Sequence, residues 1–195
     1  MPAMRFIPGV AAILLTTTVA QAQTDATCPV TSCAAPRVTT ISSGVRQAEQ
    51  VRLTVTDAIA VAEQHAGGKV VQASLLLRGG NASYTVVALP NVGEVWRGRV
   101  DANSGSLIDE RVTPLKDAAA TDQVDPTKAK LAEQARLPLP QAVEQAEAKS
   151  GGRVFDAILE DADGRPVYQM QVARGDDVED LVVNPADGSV TVAAD

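Results

Sequence analysis

The chain has 195 residues, of which 45% are hydrophobic and only 3% aromatic, and its formal net charge is -7. A negative chain repels phosphate backbones, and so few aromatic residues leave no platform on which bases could stack. We therefore expect no nucleic-acid partner. The length and the near-zero mean hydropathy suit one globular domain or two small ones.

The first 22 residues have the pattern of a secretory signal peptide. Arg5 precedes an apolar run over residues 6–19, and Ala20 and Ala22 occupy the two small-residue positions that signal peptidase requires. The run is shorter than the about 20 apolar residues that cross a bilayer. We expect a mature protein that starts at Gln23, is periplasmic or secreted, and has no membrane span.

Residues 23–40 are small and polar without a hydrophobic period, and we interpret them as a flexible tether. The tether contains Cys28 and Cys33 in the sequence CPVTSC. An oxidising compartment favours a disulfide between them, although so small a loop would stabilise the fold only modestly. Free or intermolecular thiols are the alternative. A haem or zinc site would need further ligands, which are not nearby.

The rest of the chain is a duplication. An offset of 84 aligns residues 41–89 with residues 125–173 and gives 15 identities in 49 positions. The offset falls to 83 by Val100 and Val183, so one residue is missing between positions 90 and 94, which places a surface loop there. The expected boundaries are repeat 1 at 41–111, a polar, Ala-rich linker at 112–124 and repeat 2 at 125–195.

Each repeat is predicted to contain an amphipathic helix, because apolar residues recur at helical spacing in both copies. Thr54 and Asp57 resemble a capping box at the start of the first helix. In the second copy two prolines are tolerable only in the first turn, so this helix begins near Leu139. A shorter helical segment precedes the first helix at residues 45–53 and is matched by residues 129–137.

After the glycine pair that follows each helix, the hydrophobic period changes to two, which is typical of strands. The residues predicted to face the helix are Val71, Ala73, Leu75, Tyr84, Val86 and Ala88 in repeat 1, and Phe155, Ala157, Leu159, Tyr168, Met170 and Val172 in repeat 2. Gly- and Asp-rich turns separate the strands, and a short fourth strand closes each copy. The sequence thus predicts an α+β fold of two repeated modules, each a helix packed on an antiparallel β-meander of three to four strands. A module of this size is marginally stable alone, so we expect the copies to pack on each other.

Several short motifs of the repeats match a known family. They are an A-I-x-x-A helix that starts at Ala58, the glycine after that helix, Y-x-V at Tyr84, and V-D-x-x-S-G at Val100. In these residues the chain resembles the PepSY domain, which occurs in propeptides of secreted thermolysin-like metallopeptidases and in extracytoplasmic bacterial proteins. Repeat 2 keeps Tyr168 but has Asn184 in place of the motif's aspartate. The resemblance implies the helix-and-meander fold, no catalytic residues, and a role in inhibiting or regulating peptidases.

The residues themselves predict no catalytic site and no cofactor. The one histidine, His65, lies in the last turn of the first helix, where it complements the helix dipole or contacts solvent. The acidic excess belongs to repeat 2, which has 14 acidic and 7 basic groups against 7 and 7 in repeat 1. We interpret this excess as a solvated face that keeps an exported protein soluble.

Two functions remain open from the sequence. The first is a non-enzymatic binding module that restrains a secreted peptidase or contacts an envelope protein through a sheet face or edge. The alternative is a periplasmic cation-binding protein for calcium or a lanthanide, with Asp161, Asp163 and Asp187 as weak candidate ligands at one end of the meander. Hard cations need six or more oxygens, so this site would be weak and partly hydrated. The sequence leaves the partner and the oligomeric state open.

Overall fold

The computed structural model describes residues 50–91, 93–122, 124 and 126–193, which form four helices and eight strands. The helices are α1 (Val55–Ala66), α2 (Leu115–Asp122), α3 (Pro126–Gln134) and α4 (Leu139–Ser150). The strands are β1 (Lys69–Arg78), β2 (Asn81–Leu89), β3 (Glu94–Asp101), β4 (Leu107–Pro114), β5 (Arg153–Ala162), β6 (Arg165–Arg174), β7 (Asp177–Val183) and β8 (Val190–Val192). The predicted signal peptide, tether and Cys28–Cys33 disulfide lie outside the described residues and stay predictions.

The two main helices begin where the sequence predicts. At the start of α1, Thr54 Oγ1 accepts a hydrogen bond from the Asp57 amide at 3.1 Å, and Asp57 Oδ2 accepts one from the Thr54 amide at 2.8 Å. This capping box satisfies two amide groups that lack partners within the helix. α4 begins at Leu139 with Pro138 as its N-cap residue. No described helix has the length and apolar character needed to span a membrane.

All eight strands belong to one antiparallel sheet in the order β4-β3-β2-β1-β5-β6-β7-β8. The two repeats join through β1 and β5, where Ala73 lies opposite Ala157 and Ser74 opposite Asp156. Ala73 and Ala157 are equivalent positions at the repeat offset of 84. The repeats are therefore related by a pseudo-twofold axis that passes through this pair.

The helices of both repeats contact the same sheet and share its core. α1 packs on β1 and β2, α4 packs on β5 and β6, and the two helices contact each other. One hydrophobic cluster contains buried residues of both repeats, including Tyr84 and Tyr168. The expectation that the two copies pack on each other is thus confirmed, and the predicted α+β architecture is observed.

Two basic residues at equivalent positions tie each repeat to the other. Arg153, the first residue of β5, donates hydrogen bonds to the carbonyl of Val51 at 2.8 Å and to that of Leu53. Its counterpart in repeat 1, Lys69, donates from Nζ to the carbonyl of Ala132 at 2.7 Å, near the C-terminus of α3. A cation stabilises the last carbonyls of a helix because these carry partial negative charge. The junction is therefore held by reciprocal polar contacts as well as by three residue pairs between β1 and β5.

The prediction that Phe155 faces the helix is wrong. The register of β5 against β6 shifts between Val154 and Asp156. Such a bulge adds one residue to a strand and reverses the inside-outside alternation on one side of it. As a result Val154 is fully buried in the main core, whereas Phe155 is partly buried in a separate small cluster around Ala173.

The connection between the repeats also differs from the sequence prediction. The sequence predicts a polar linker over residues 112–124, whereas in the structure β4 extends to Pro114 and α2 follows immediately. The prediction of a short fourth strand is correct for the three-residue β8 and wrong for the eight-residue β4. The linker sequence is rich in Ala, the residue of highest helix propensity, which accounts for α2.

Candidate binding surface on the sheet of repeat 2

Residues on β5, β6 and β7 alternate between the buried core and the opposite face of the sheet. The core positions that face α4 include Ala157, Leu159, Tyr168, Met170 and Leu181. The intervening residues are Asp156, Ile158, Gln169, Gln171, Asp180 and Val182. We call this set the outer face of repeat 2. It lines a cavity of about 370 Å³.

A row of polar side chains crosses this face at the junction of the repeats. Ser74 pairs with Asp156, Asp156 with Gln171, and Gln171 with Asp180 in the strand register. The row therefore begins in repeat 1 and ends on β7. It combines a hydroxyl, two carboxylates and an amide, which can accept hydrogen bonds from a cationic or N–H-bearing ligand.

Asp156 is the partly desolvated member of the row. Ser74 Oγ donates a hydrogen bond to Asp156 Oδ1 across the repeat junction. Burial raises the pKa of the Asp156 carboxyl, and the charge of Asp180 raises it further, while the bonds from Ser74 and the Ala157 amide act in the opposite direction. A carboxylate in this situation is stabilised when a positively charged group approaches it.

Asp180 lies at the solvent-exposed end of the row. Its Oδ1 accepts a hydrogen bond of 3.0 Å from Gln171 Nε2. Asp180 and Asp156 thus flank Gln171, and both carboxylates lie on the cavity lining. The geometry is suited to binding a cationic group.

The same face of repeat 1 has the opposite charge. Arg97 occupies the position equivalent to Asp180, and Arg99 the position equivalent to Val182, at the local offset of 83. Arg99 also forms an ion pair of 2.5 Å with Asp109 on β4. The face is therefore acidic on repeat 2 and basic on repeat 1. Two of the 14 acidic groups of repeat 2, Asp156 and Asp180, lie on this face.

The candidate cation ligands lie in two turns of repeat 2. Asp161 accepts a hydrogen bond of 2.6 Å from the Gly164 amide, and Asp163 has a positive φ of 55° in the same turn. Asp187 accepts one of 2.9 Å from the Ser189 amide, and this backbone bond is the largest cause that lowers its pKa. In the part of the chain that the structure describes, no three His, Cys, Asp or Glu residues are grouped so that they could hold a metal ion. The weak cation site stays a prediction.

The sequence alone does not bring Asp156, Gln171 and Asp180 together. Asp156 is next to the predicted core residue Ala157, and Gln171 follows Met170, so the period-two pattern places both on the outer face. Their alignment with Asp180 depends on the strand register, which the sequence does not contain. A polar residue between two predicted core positions is the signal that could have identified this face.

No curated protein matches this chain. The crystal structure of a candidate lipoprotein from Clostridium difficile 630 is similar, with 20% sequence identity over 73% of this chain and 93% of that chain, and a TM-score of 0.44. The family model described as "Peptidase propeptide and YPEB domain" (PepSY) matches residues 52–111 and 136–191, which together exceed half of the chain. The chain belongs to the PepSY family and contains two copies of its domain.

Proposed function

We propose that this protein is an exported, non-enzymatic binding module that restrains a secreted peptidase, and that the outer face of repeat 2 is its contact surface. The observation that carries the proposal is the polar row from Ser74 to Asp180, of which Asp156, Gln171 and Asp180 line a cavity on a sheet face. Membership of a family described by peptidase propeptides supports the peptidase as the partner. In its broader form, the same proposal takes an envelope protein with a basic segment as the partner.

The row is preorganised for a cationic segment. Its members are on neighbouring strands of one sheet, and hydrogen bonds already fix Asp156 to Ser74 and Gln171 to Asp180. Side chains fixed before binding lose less conformational entropy when a partner arrives. A Lys or Arg side chain placed between the two carboxylates would gain charge-assisted hydrogen bonds.

The raised pKa of Asp156 gives this binding a pH dependence. A cation favours the ionised carboxylate, so binding at a pH below the raised pKa must first remove a proton. Affinity should therefore fall as the pH decreases through that pKa. The loss should be absent in Asp156→Asn, which cannot ionise.

The test is inhibition of a thermolysin-like metallopeptidase secreted by the same organism. The mature chain from Gln23 is titrated into the peptidase while hydrolysis of a peptide substrate is followed. We expect inhibition by the wild type, and an inhibition constant about tenfold higher for Asp156→Asn with Asp180→Asn, since tenfold corresponds to about 1.4 kcal/mol.

The matched control is Asp161→Asn with Asp163→Asn, which removes the same charge from an exposed turn of the same repeat. This control should inhibit like the wild type. If no form of the chain inhibits, the peptidase role is wrong. If both double variants inhibit like the wild type, the outer face of repeat 2 is not the contact surface.

No observation on the described residues favours the cation-binding alternative. Our expectation remains at most weak calcium or lanthanide binding that is confined to repeat 2 and depends on Asp161 and Asp163. Calorimetric titration of the wild-type chain and of the Asp161→Asn, Asp163→Asn variant measures this directly. Tight binding that survives both substitutions would show that the predicted site is wrongly placed.

A further inference from the structure

β4 forms one edge of the sheet, and β3 is its only strand partner in the described part of the chain. It has eight residues, whereas β8 at the opposite edge has three. The outer edge of such a strand presents backbone N–H and C=O groups that can pair with another strand. The two edges of this pseudo-symmetric sheet are therefore unequal, and the longer one belongs to repeat 1.

The side chains of β4 combine exposed apolar and charged residues. Ile108 is 48% and Val112 58% exposed, and in the described residues only one other large hydrophobic side chain, Val192, is classed as exposed. Asp109, Glu110 and Arg111 lie between Ile108 and Val112. Charges on an edge strand normally prevent indiscriminate pairing. A partner of this edge must therefore match the charges.

The sequence Ile-Asp-Glu-Arg-Val of β4 can pair with a second copy of itself that runs antiparallel, because its side chains then match in charge and polarity. If two copies of β4 pair antiparallel with Glu110 opposite Glu110, Asp109 lies opposite Arg111 and Ile108 opposite Val112. Opposite charges and apolar pairs directly across strands both stabilise a sheet. A shift by one residue in either direction places apolar residues opposite charged ones. The register centred on Glu110 is thus strongly favoured.

The like-charged pair at the centre is the cost of this register. Glu110 Oε2 accepts a hydrogen bond of 2.9 Å from Trp96 Nε1 of its own chain, which holds the carboxylate toward β3. Asp109 likewise keeps its ion pair with Arg99, yet its side chain is 61% exposed and retains further acceptor capacity. The contacts of Glu110 with Trp96 and of Asp109 with Arg99 are therefore compatible with the proposed pairing.

We propose that β4 pairs with β4 of a second copy of this chain to form a twofold-symmetric dimer with one continuous sheet. A twofold axis places the same surface on both subunits, as a self-complementary strand requires. β5 to β8 lie on the other side of β1 from this edge. Each subunit thus keeps its outer face of repeat 2 accessible, so the dimer does not depend on the proposed peptidase contact.

Sedimentation equilibrium of the mature chain tests the pairing. We expect a reversible dimer for the wild type. Arg111→Asp places like charges opposite each other at both symmetric positions, and the dimer dissociation constant should rise about tenfold or more. Asp109→Arg combined with Arg111→Asp exchanges the charges and should restore dimerisation. Arg165→Asp, which makes the same charge change at an exposed site in repeat 2, should dimerise like the wild type.

A cysteine scan tests the register independently of affinity. In a Cys28→Ser, Cys33→Ser background, Glu110→Cys should form an intersubunit disulfide on mild oxidation, because residue 110 lies opposite itself. Thr113→Cys should not, since the two copies of position 113 would be about 20 Å apart at roughly 3.3 Å per residue. Far-ultraviolet circular dichroism confirms that each variant is folded.

Three results would overturn the proposal. The first is a wild-type chain that stays monomeric at the highest concentration at which it is soluble. A chain whose β4 pairs only with strands of other proteins would give this result. The second is a dimer that Arg111→Asp does not weaken. The third is equal crosslinking at positions 110 and 113.

Discussion

Removing one hydroxyl from equivalent tyrosines of the two repeats should have unequal effects. Tyr84 Oη donates a hydrogen bond of 2.9 Å to the Leu53 carbonyl, and Tyr168 Oη donates one of 2.9 Å to the Leu137 carbonyl. Both rings are buried, and burial raises the pKa of each phenol to about 12. Tyr84→Phe and Tyr168→Phe keep the rings and remove only the interactions of the two hydroxyl groups.

The difference arises from Arg153. Its side chain also hydrogen-bonds the Tyr84 phenol, whereas the Tyr168 phenol has no such charged partner among the described residues. Tyr84→Phe therefore loses a charged hydrogen bond and should cost about 1.5–3 kcal/mol, against about 0.5–1.5 kcal/mol for the neutral bond that Tyr168→Phe loses. Removal of either ring, by Tyr84→Ala or Tyr168→Ala, should cost about 3–5 kcal/mol.

Urea denaturation of the mature chain, followed by circular dichroism, gives the free energies of unfolding. We expect Tyr84→Phe to have a lower midpoint than Tyr168→Phe. An equal or larger loss for Tyr168→Phe would contradict the contact between Arg153 and the Tyr84 phenol. If the two alanine variants match the wild type, the strand register that buries these rings is wrong.

Three further predictions concern single sites. Because the pKa of Asp156 is raised, the folded state binds more protons than the unfolded state, and wild-type stability should fall as the pH rises from the ordinary 3.8 through the raised pKa. In thermal melts across that range, Asp156→Asn should lose this pH dependence and be more stable than the wild type at neutral pH. Arg153→Met should destabilise the chain by about 1.5–3 kcal/mol in urea, because charged hydrogen bonds to the Val51 and Leu53 carbonyls are lost; a change within error would contradict the cross-repeat contact. Cys28 and Cys33 should be unreactive to thiol labelling in exported protein without reductant, and two labelled thiols would reject the predicted disulfide.

The features that the sequence predicts correctly have local causes. A capping box at Thr54 and Asp57 and prolines at the start of α4 act within a few residues of where they occur. The period-two pattern places Tyr84 and Tyr168 in the core because side-chain direction alternates along a strand. Such features can be derived from the chain without knowledge of its tertiary structure.

The features that it does not predict depend on contacts between distant residues. Nothing local indicates that β1 pairs with β5, and the row from Ser74 to Asp180 exists only once that pairing is made. The bulge that displaces Phe155 results from the pairing of β5 with β6. The candidate surface therefore follows from the junction of the repeats, and each repeat by itself has only part of it.

The shared sheet and core predict that the two PepSY repeats unfold as one cooperative unit, and the single tryptophan allows a direct test. Trp96 lies on β3 of repeat 1 and is 2% exposed, so its fluorescence reports the unfolding of that repeat. Met170→Ala truncates a buried residue of repeat 2 and should cost about 2–5 kcal/mol. In urea, we expect the Trp96 transition of this variant to shift by the same amount as the transition seen by circular dichroism. A Trp96 transition that stays at its wild-type position while circular dichroism shows two phases would contradict the shared fold.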